Sequence, residues 1–532
     1  MRHPLTIQSP ENALCAFRRR LCDDGTPVGC ALLSALIAAV LAYHLLVIYG
    51  RGNADAVCEG LYFYTGADWA LACGRWATRY MNAAAGNVVM PGIWVLLYAL
   101  CCGGTAVILS RLWQIRSPIS VALMSALLTV NPTVIEQSLL QYMFMAWGIS
   151  NLLAALFVFL NAKERGKISR YVAAPLCLAV AFGLYQACVG MVCVLYCMTL
   201  ILRLLRGESL KDTLLDVARF ALSAVIGTLL YFLVMRFEVA RWGVAGSYRM
   251  EEFSLKAIFA QLSSSVPGAY RNYLAYFADA RLHRRWFFGA LFVLGAAFLL
   301  TALVGMLRHG RIAEAAAAFL LALLIPAFSH AADIIFPYNT PVLIMQYQSM
   351  MAVPFALALL DRYAEDKRLR AQGSRWAAQL LLLALSWTFI VSANATYQVY
   401  ELTYKHTNFV IGSVLNQIYA LPDYSEDEVI AFAGFPDDAL LRQKIGSYRY
   451  AYGQQYENLV FWDGMLGLQN SRQCYLLDEF GIEGGHIYGI QYNTAIATEQ
   501  FKNMPVWPKA GSIARINDMI VVKFCENPTY FG

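Results

Sequence analysis

Val28-Gly-Cys-Ala-Leu-Leu-Ser-Ala-Leu-Ile-Ala-Ala-Val-Leu-Ala-Tyr-His-Leu-Leu-Val-Ile-Tyr49 holds no acidic residue, lysine or arginine. About 20 apolar residues suffice to cross a bilayer as a helix, so this run is long enough to span. It follows Arg18-Arg19-Arg20 and lacks a small-residue cleavage site, which makes it a retained span and not a removable signal peptide. The rest of the chain agrees with that reading. Of 532 residues, 59% are hydrophobic and 14% charged, against about 25% charged in ordinary soluble domains. The net charge of +6 sits in small basic clusters between apolar runs. That pattern gives no reason to expect a nucleic-acid partner; the partner it implies is the lipid bilayer.

Working outward, further apolar runs cover residues 88–109, 118–130, 140–160, 172–184, 190–202, 217–235, 287–306, 312–328, 350–360 and 376–391. The stretch 171–205 is too long for one helix and is divided near 186–190, where Gln186 and Gly190 interrupt it. Basic residues then fall in every second loop: Arg111 and Arg116, Lys167 and Arg170, Arg203 and Arg206, Arg308 and Arg311, Arg362 and Arg375. Loops 131–139, 185–189 and 329–348 carry no lysine or arginine. Basic loops stay in the cytoplasm. The expected fold is therefore an all-α polytopic membrane protein of about eleven transmembrane helices, with a small α/β C-terminal extracytoplasmic domain. Residues 1–27 form a cytoplasmic N-terminal segment, 28–391 the transmembrane domain with outer loops 51–87 and 237–285, and 392–532 the outer domain. In that domain 397–420 has helical spacing, 429–434 reads as a strand ending in a turn, and 513–524 as a hairpin turning at Asn517-Asp518.

Cys58 and Cys73 share the first outer loop, and Cys474 and Cys525 the outer domain. On an oxidising side these are two disulfides or four thiols, and spacing alone does not decide. The seven His are scattered, with no metal-ligand spacing, and no cofactor is expected.

Chemistry is sought on the outer face, because the inner loops are short. The first loop runs Arg51-Gly-Asn-Ala-Asp55-Ala-Val-Cys-Glu59-Gly60 and continues to Asp68-Trp69 and Gly74-Arg75-Trp76. An acid just beyond a span can meet a head group that a lipid carrier presents at the interface, and a carboxylate there suits general-base work. Asp55 is the first choice and Asp68 the second; Glu59 is the third acid. All three also read as solvated loop charges. Trp69 suits stacking on a sugar or anchoring at the interface. Arg75 and Arg79 share a face if the segment is helical, and there they hold a phosphate or snorkel. Arg271, Arg281, Arg284 and Arg285 are alternative phosphate partners, but Arg284 and Arg285, beside a span, read better as simple anchors. Tyr185-Gln186, Glu136-Gln137 with Gln141, and His330 with Asp333 are polar groups at outer turns; such groups are either simply solvated or, as a ring on one face, line a sugar pocket.

These features resemble the bacterial type-II membrane glucosyltransferase family of O-antigen serotype conversion. The match is carried by Asn53-Ala-Asp55 with Gly74-Arg75-Trp76, Pro91-Gly92 opening the next span, Gly183-Leu184-Tyr185-Gln186-Ala187, and Ala393-Asn394 leading into 397–420. The resemblance implies a GT-C-like enzyme. Such an enzyme moves a sugar, glucose first among them, from a polyprenyl-phosphate-linked donor to a surface glycan acceptor such as the O-antigen of lipopolysaccharide. It would work at the periplasmic face of the inner membrane by inverting transfer. Asp55 or Asp68 is then catalytic, with Glu59, Trp69, Arg75, Arg79, Tyr185, Gln186 and Arg271 binding substrate. The chain departs from the family where Ala54 stands in place of a second early acid, in lacking an acid at 141–146, and where Val342 follows Pro341. A flippase for a lipid-linked sugar and a non-catalytic glycan-assembly partner are the competing functions.

Overall fold

A computed structural model describes residues 25–60, 62–162, 166–245, 255–335, 342–364, 369–425, 427–434, 451–452, 464–485 and 487–528. Arg18–Arg20, Lys163 and Arg165 lie outside them, as does the Asp55 side chain. Each of the eleven apolar runs folds as helix over most of its length. Among the described residues eight helices are long and apolar enough to cross a membrane, or nine if one broken pair counts as a span. The chain is thus a polytopic membrane protein built of helices, with a small sheet near its C-terminus. The runs that fall short of the length criterion are 169–184, which is apolar, and 352–364.

The long helices are α1 (Gly25–Tyr49), α5 (Pro91–Trp113), α8 (Gln141–Leu160), α10 (Val189–Leu205), α11 (Leu210–Trp242), α12 (Leu255–Phe277), α13 (Arg284–Arg308), α14 (Ile312–Ser329) and α17 (Leu369–Tyr419). The shorter ones are α2 (Ala54–Cys58), α3 (Ala67–Ala72), α4 (Trp76–Ala84), α6 (Pro118–Thr129), α7 (Pro132–Ser138), α9 (Ala174–Leu184), α15 (Ala331–Ile335) and α16 (Ala352–Ala364). α18 (Gly464–Phe480), α19 (Gly489–Ala497) and α20 (Glu499–Asn503) follow β1 (Val429–Ala433).

Local chemistry sets the breaks. Ser117 caps α6, its hydroxyl accepting from the Ser120 amide at 3.3 Å, with Pro118 at the first helical position. Pro132 has no N–H to continue the ladder, and the Asn131 amide donates instead to the carbonyls of Leu127 and Leu128, both at 3.2 Å. Tyr185, in extended conformation (φ −161°), divides the 171–205 stretch at the expected place. The segment 237–285, expected as a loop, is mostly helical: α11 runs to Trp242, and α12 buries Ala269, Tyr276 and Phe277. The last predicted span and the helical stretch after it are one helix, α17, of 51 residues. At 1.5 Å per residue it is about 75 Å long, more than twice the hydrocarbon thickness.

Two compact units divide the chain. The first comprises 1–41, 96–131 and 146–389, and the second 42–95, 132–145 and 390–532. Each draws on several segments, so neither coincides with the linear division at 391/392. In the first unit α10 packs on α14, α9 on α11 and α13 on α16. A Cβ on Gly295 of α13 would stand 2.9 Å from the Ala356 Cβ of α16, so glycine permits that approach. Basic residues of the predicted inner loops are tied into protein: Asp216 accepts from Arg170 at 3.2 Å and from Arg203 at 2.6 Å.

The second unit contains the sheet, ordered β1-β3-β2. β3 (Met519–Lys523) runs parallel to β1, from Val429↔Met519 to Ala433↔Lys523, and antiparallel to β2 (Ile513–Ile516). The two-residue turn between β2 and β3 is Asn517-Asp518, with Asn517 at φ +53° as a tight hairpin requires. Ala431, Tyr492, Ile496, Phe501, Ile516 and Val521 close a core beneath it.

Candidate functional site

The first loop belongs to the second unit and is held in place residue by residue. Span α1 ends at Tyr49, and Gly50 turns the chain at φ +62°. Arg51 then meets two carboxylates, Nε to Glu401 at 3.2 Å and Nη1 to Glu479 at 3.1 Å, while its guanidinium lies 4.6 Å from the Tyr404 ring centre. Its carbonyl accepts from Gln141 at 3.0 Å, the Gly52 carbonyl from the Tyr404 hydroxyl at 3.0 Å, and Asn53 N–H donates to the Leu139 carbonyl at 3.1 Å. Burial alone would lower the Arg51 guanidinium, but Glu479 and Glu401 more than offset it and raise it. Glu479 in turn takes three donors, accepting from Arg51, from the Tyr62 hydroxyl at 3.0 Å and from Asn408 at 3.1 Å.

With its backbone fixed, Asn53 caps α2. Its Oδ1 accepts from the Ala56 amide at 3.0 Å, which places Asp55 at the second position of that short helix. The far end of the loop is closed by an antiparallel bridge between Phe63 and Val88.

The remaining acids are placed differently. Asp68 opens α3 and its carboxylate, 76% exposed, receives Arg79 Nη1 at 2.8 Å. Glu59 turns its carboxylate onto Gly66, where a Cβ would stand 1.3 Å from Oε2. Tyr64 is buried and stacks on Tyr142 with ring centres 5.2 Å apart. Burial first, then Glu59, pushes its hydroxyl well above the usual phenol range; Arg75 and Arg79 pull the other way. Tyr64 thus feels both the acid and the two cations proposed for this loop. Arg75 is the N-cap of α4 and not within it, so the four-residue spacing to Arg79 is only partly helical. Trp69 is exposed.

Tyr185, Gln186 and Arg271 belong to the first unit. Tyr185 is buried edge-on against Trp147, ring centres 5.6 Å apart. The Gln186 amide donates to the Tyr231 hydroxyl at 3.0 Å. Arg271 is exposed on α12. Arg284, read as an anchor beside a span, is fully buried: it pairs with Asp279 at 2.8 Å, donates to Thr388 and covers the Phe389 ring. Its charge is committed inside the protein.

Cys58, Cys73, Cys474 and Cys525 are thiols. Cys474 Sγ lies 3.4 Å from the Cys58 carbonyl, so the first loop and α18 meet there. Sequence reasoning missed Glu401, Glu479, Tyr62 and Asn408, because the pairing of Arg51 with Glu479 joins positions 428 apart and leaves no local pattern.

A family model described as Glucosyl transferase GtrII matches residues 59–358. The matched part holds Glu59, Asp68, Trp69, Arg75, Arg79, Tyr185, Gln186 and Arg271, and begins four residues after Asp55. No curated protein and no solved structure matches the chain.

Proposed function

Because the chain belongs to the Glucosyl transferase GtrII family, we propose that it transfers glucose from a polyprenyl-phosphate carrier to a surface glycan such as O-antigen. The reaction takes place at the outer face of the bacterial inner membrane. The observation that carries this reading is the position of the acidic helix α2. It begins five residues past the end of span α1, on a backbone fixed by Arg51, Gly52 and Asn53. Asp55 lies six positions past Tyr49, a reach of at most roughly 20 Å, so an acid here stays beside a head group at the interface.

In the proposed mechanism the lipid-linked donor enters sideways from the outer leaflet. Asp55 takes the proton of an acceptor hydroxyl. The oxygen attacks the anomeric carbon from the face opposite the phosphate, the carbon–oxygen bond to phosphate breaks, and the lipid phosphate leaves with the electron pair. Asp68 serves less well as base, because Arg79 already engages its carboxylate. Arg75, with Arg79 beside it, offsets charge gathering on the leaving phosphate.

The test is glucosyl transfer from polyprenyl-phosphate glucose by the full chain in proteoliposomes. Asp55→Asn is expected to lower turnover at least a hundredfold, as loss of a general base does, while Asp68→Asn stays within severalfold. Full turnover in Asp55→Asn removes it as the base, and collapse in Glu59→Gln or Asp68→Asn alone transfers the role.

A further inference from the structure

Apolar side chains of the first loop that the mechanism does not use lie on the surface of the second unit. Phe63 and Val88 face each other across the antiparallel bridge. The bonds on either side of it run from the Tyr64 amide to the Asn87 carbonyl at 2.8 Å and from the Val89 amide to the Tyr62 carbonyl at 3.0 Å. Phe63 and Val88 are thus a non-hydrogen-bonded pair, the kind whose side chains lie close together on one face. Phe63 is 54% and Val88 46% exposed. Successive strand residues point to opposite faces, and Tyr62 accordingly turns its hydroxyl to Glu479, at 3.0 Å. The polar neighbour is bound by protein, and the apolar pair is turned outward.

α4, which ends four residues before Val88, is reversed in the same sense. It buries Ala77, Thr78 and Asn82, and the Asn82 amide turns back to the Thr78 carbonyl at 3.3 Å. Outward it presents Tyr80, Ala83 and Ala84, three and four positions apart and so on one face. A helix on a water-washed surface keeps its polar face outside. Here two of the three buried side chains are polar, and the exposed face is apolar.

The chain around these groups determines what covers them. Span α5 begins at Pro91, three positions past Val88, and exposes Ile93 and Leu96 in its first two turns. Three residues reach at most roughly 10 Å, and the head-group layer is about 5–8 Å deep on each side of the hydrocarbon. The apolar surface of the loop therefore runs on into the lipid-facing side of a span. Tyrosine gathers at that depth, and a helix lying in the interface plane turns its apolar face to the acyl chains. We propose that the Phe63–Val88 face and the Tyr80 face of α4 sit in the interface of the leaflet where α1 ends and α5 begins, docking the first loop on the membrane. Asp68, 2.8 Å from Arg79 of that helix, is then held at head-group level. The assignment needs neither a particular sugar nor a particular donor.

The probe is p-benzoylphenylalanine, a photo-crosslinker, placed in the full chain at Phe63, at Tyr80 or, as a water-exposed control, at Glu499, whose side chain is 80% exposed. The chain is held in nanodiscs of phosphatidylethanolamine and phosphatidylglycerol, irradiated and digested, and the probe-bearing peptides are weighed by mass spectrometry. Phospholipid adducts are expected to be at least fivefold more abundant at Phe63 and at Tyr80 than at Glu499. Should the protein carrying the probe at Phe63 fail to fold, the same probe at Val88 decides. A smaller excess at either position overturns the proposal. Crosslinks to a second copy of the chain in place of lipid also overturn it, and would make this face a contact between copies.

Discussion

Arg51 Nη1 lies 3.1 Å from Glu479 Oε1, joining the second residue after the opening span to a helix 428 positions later in the chain. Arg51 is 21% and Glu479 9% exposed, so the pair is largely shielded, and Glu401 completes a fork on the same guanidinium. Such a fork suits arginine: lysine carries one compact charge and does not reproduce two directed contacts.

Arg51→Ala is therefore expected to destabilise the folded chain by about 2–4 kcal/mol, since it takes from Glu479 the cation it is paired with and leaves Glu401 with Lys405, at 3.2 Å. Arg51→Lys should recover less than half of that. Unfolding in detergent measures the loss. Turnover should fall further than stability accounts for, because Arg51 also fixes the backbone that presents α2.

Asp68 and Arg79 make the opposite case. Their contact is short, but the Asp68 side chain is 76% exposed, and exposed pairs contribute little. Asp68→Asn is expected to cost less than about 1 kcal/mol in the same unfolding measurement. A larger loss would mean that the pair organises α3 and α4 together.

Gly66 offers a way to move Glu59 without changing its charge. Its backbone is unstrained, at φ −78°, yet a Cβ there would run into the Glu59 carboxylate. Because the clash is with the end of a flexible side chain, Gly66→Ala should cost only about 1 kcal/mol while turning Glu59 aside. If Glu59 contacts substrate, Gly66→Ala and Glu59→Gln should raise KM by similar factors. A change in one without the other separates charge from position.

Cys474 gives a pH dependence with a definite sign. Burial, and then the negative charges of Asp478 and Glu59, raise its thiol above the ordinary value of 9.0. A raised value favours the protonated form in the folded state. That stability is fully present below pH 9 and is lost as pH rises through the higher folded value. Alkylation by iodoacetamide should accordingly be slow at pH 8 in the folded protein and fast after denaturation. Asp478→Asn should move the onset of labelling downward, as mass spectrometry of the Cys474 peptide would show.

How much of this was legible beforehand follows from the range of each signal. The spans and the break at Tyr185 are written in local hydropathy, and the hairpin turn in the local pair Asn517-Asp518, so sequence reading found them. The continuity of α17 was hidden because polarity rises near residue 392 while helical backbone persists, and hydropathy reports solvent rather than backbone. The helix α12 was hidden by its mixed composition. At the site, Asn53 capping α2 is local, whereas Glu401 and Glu479 reach Arg51 only through the fold. His330 and Asp333 stand three apart and pair as neighbours on one turn do, but nothing local announces that both are turned inward.

Arg284 shows that a charge beside a span, read from sequence as an anchor, can instead be committed inside the protein. It is wholly buried, with Asp279 at 2.8 Å, the Thr388 hydroxyl at 3.0 Å and the Phe389 ring beneath it. Breaking a buried pair from one side leaves the other charge uncompensated and costs about 3–5 kcal/mol, while replacing both partners together can be nearly neutral. Arg284→Met and Asp279→Asn are each expected to destabilise strongly, and the double variant less than the sum of the two. A double-mutant cycle read by unfolding isolates that coupling. Simple additivity would mean that the pair is solvated rather than buried, and would return Arg284 to the candidates for holding a phosphate.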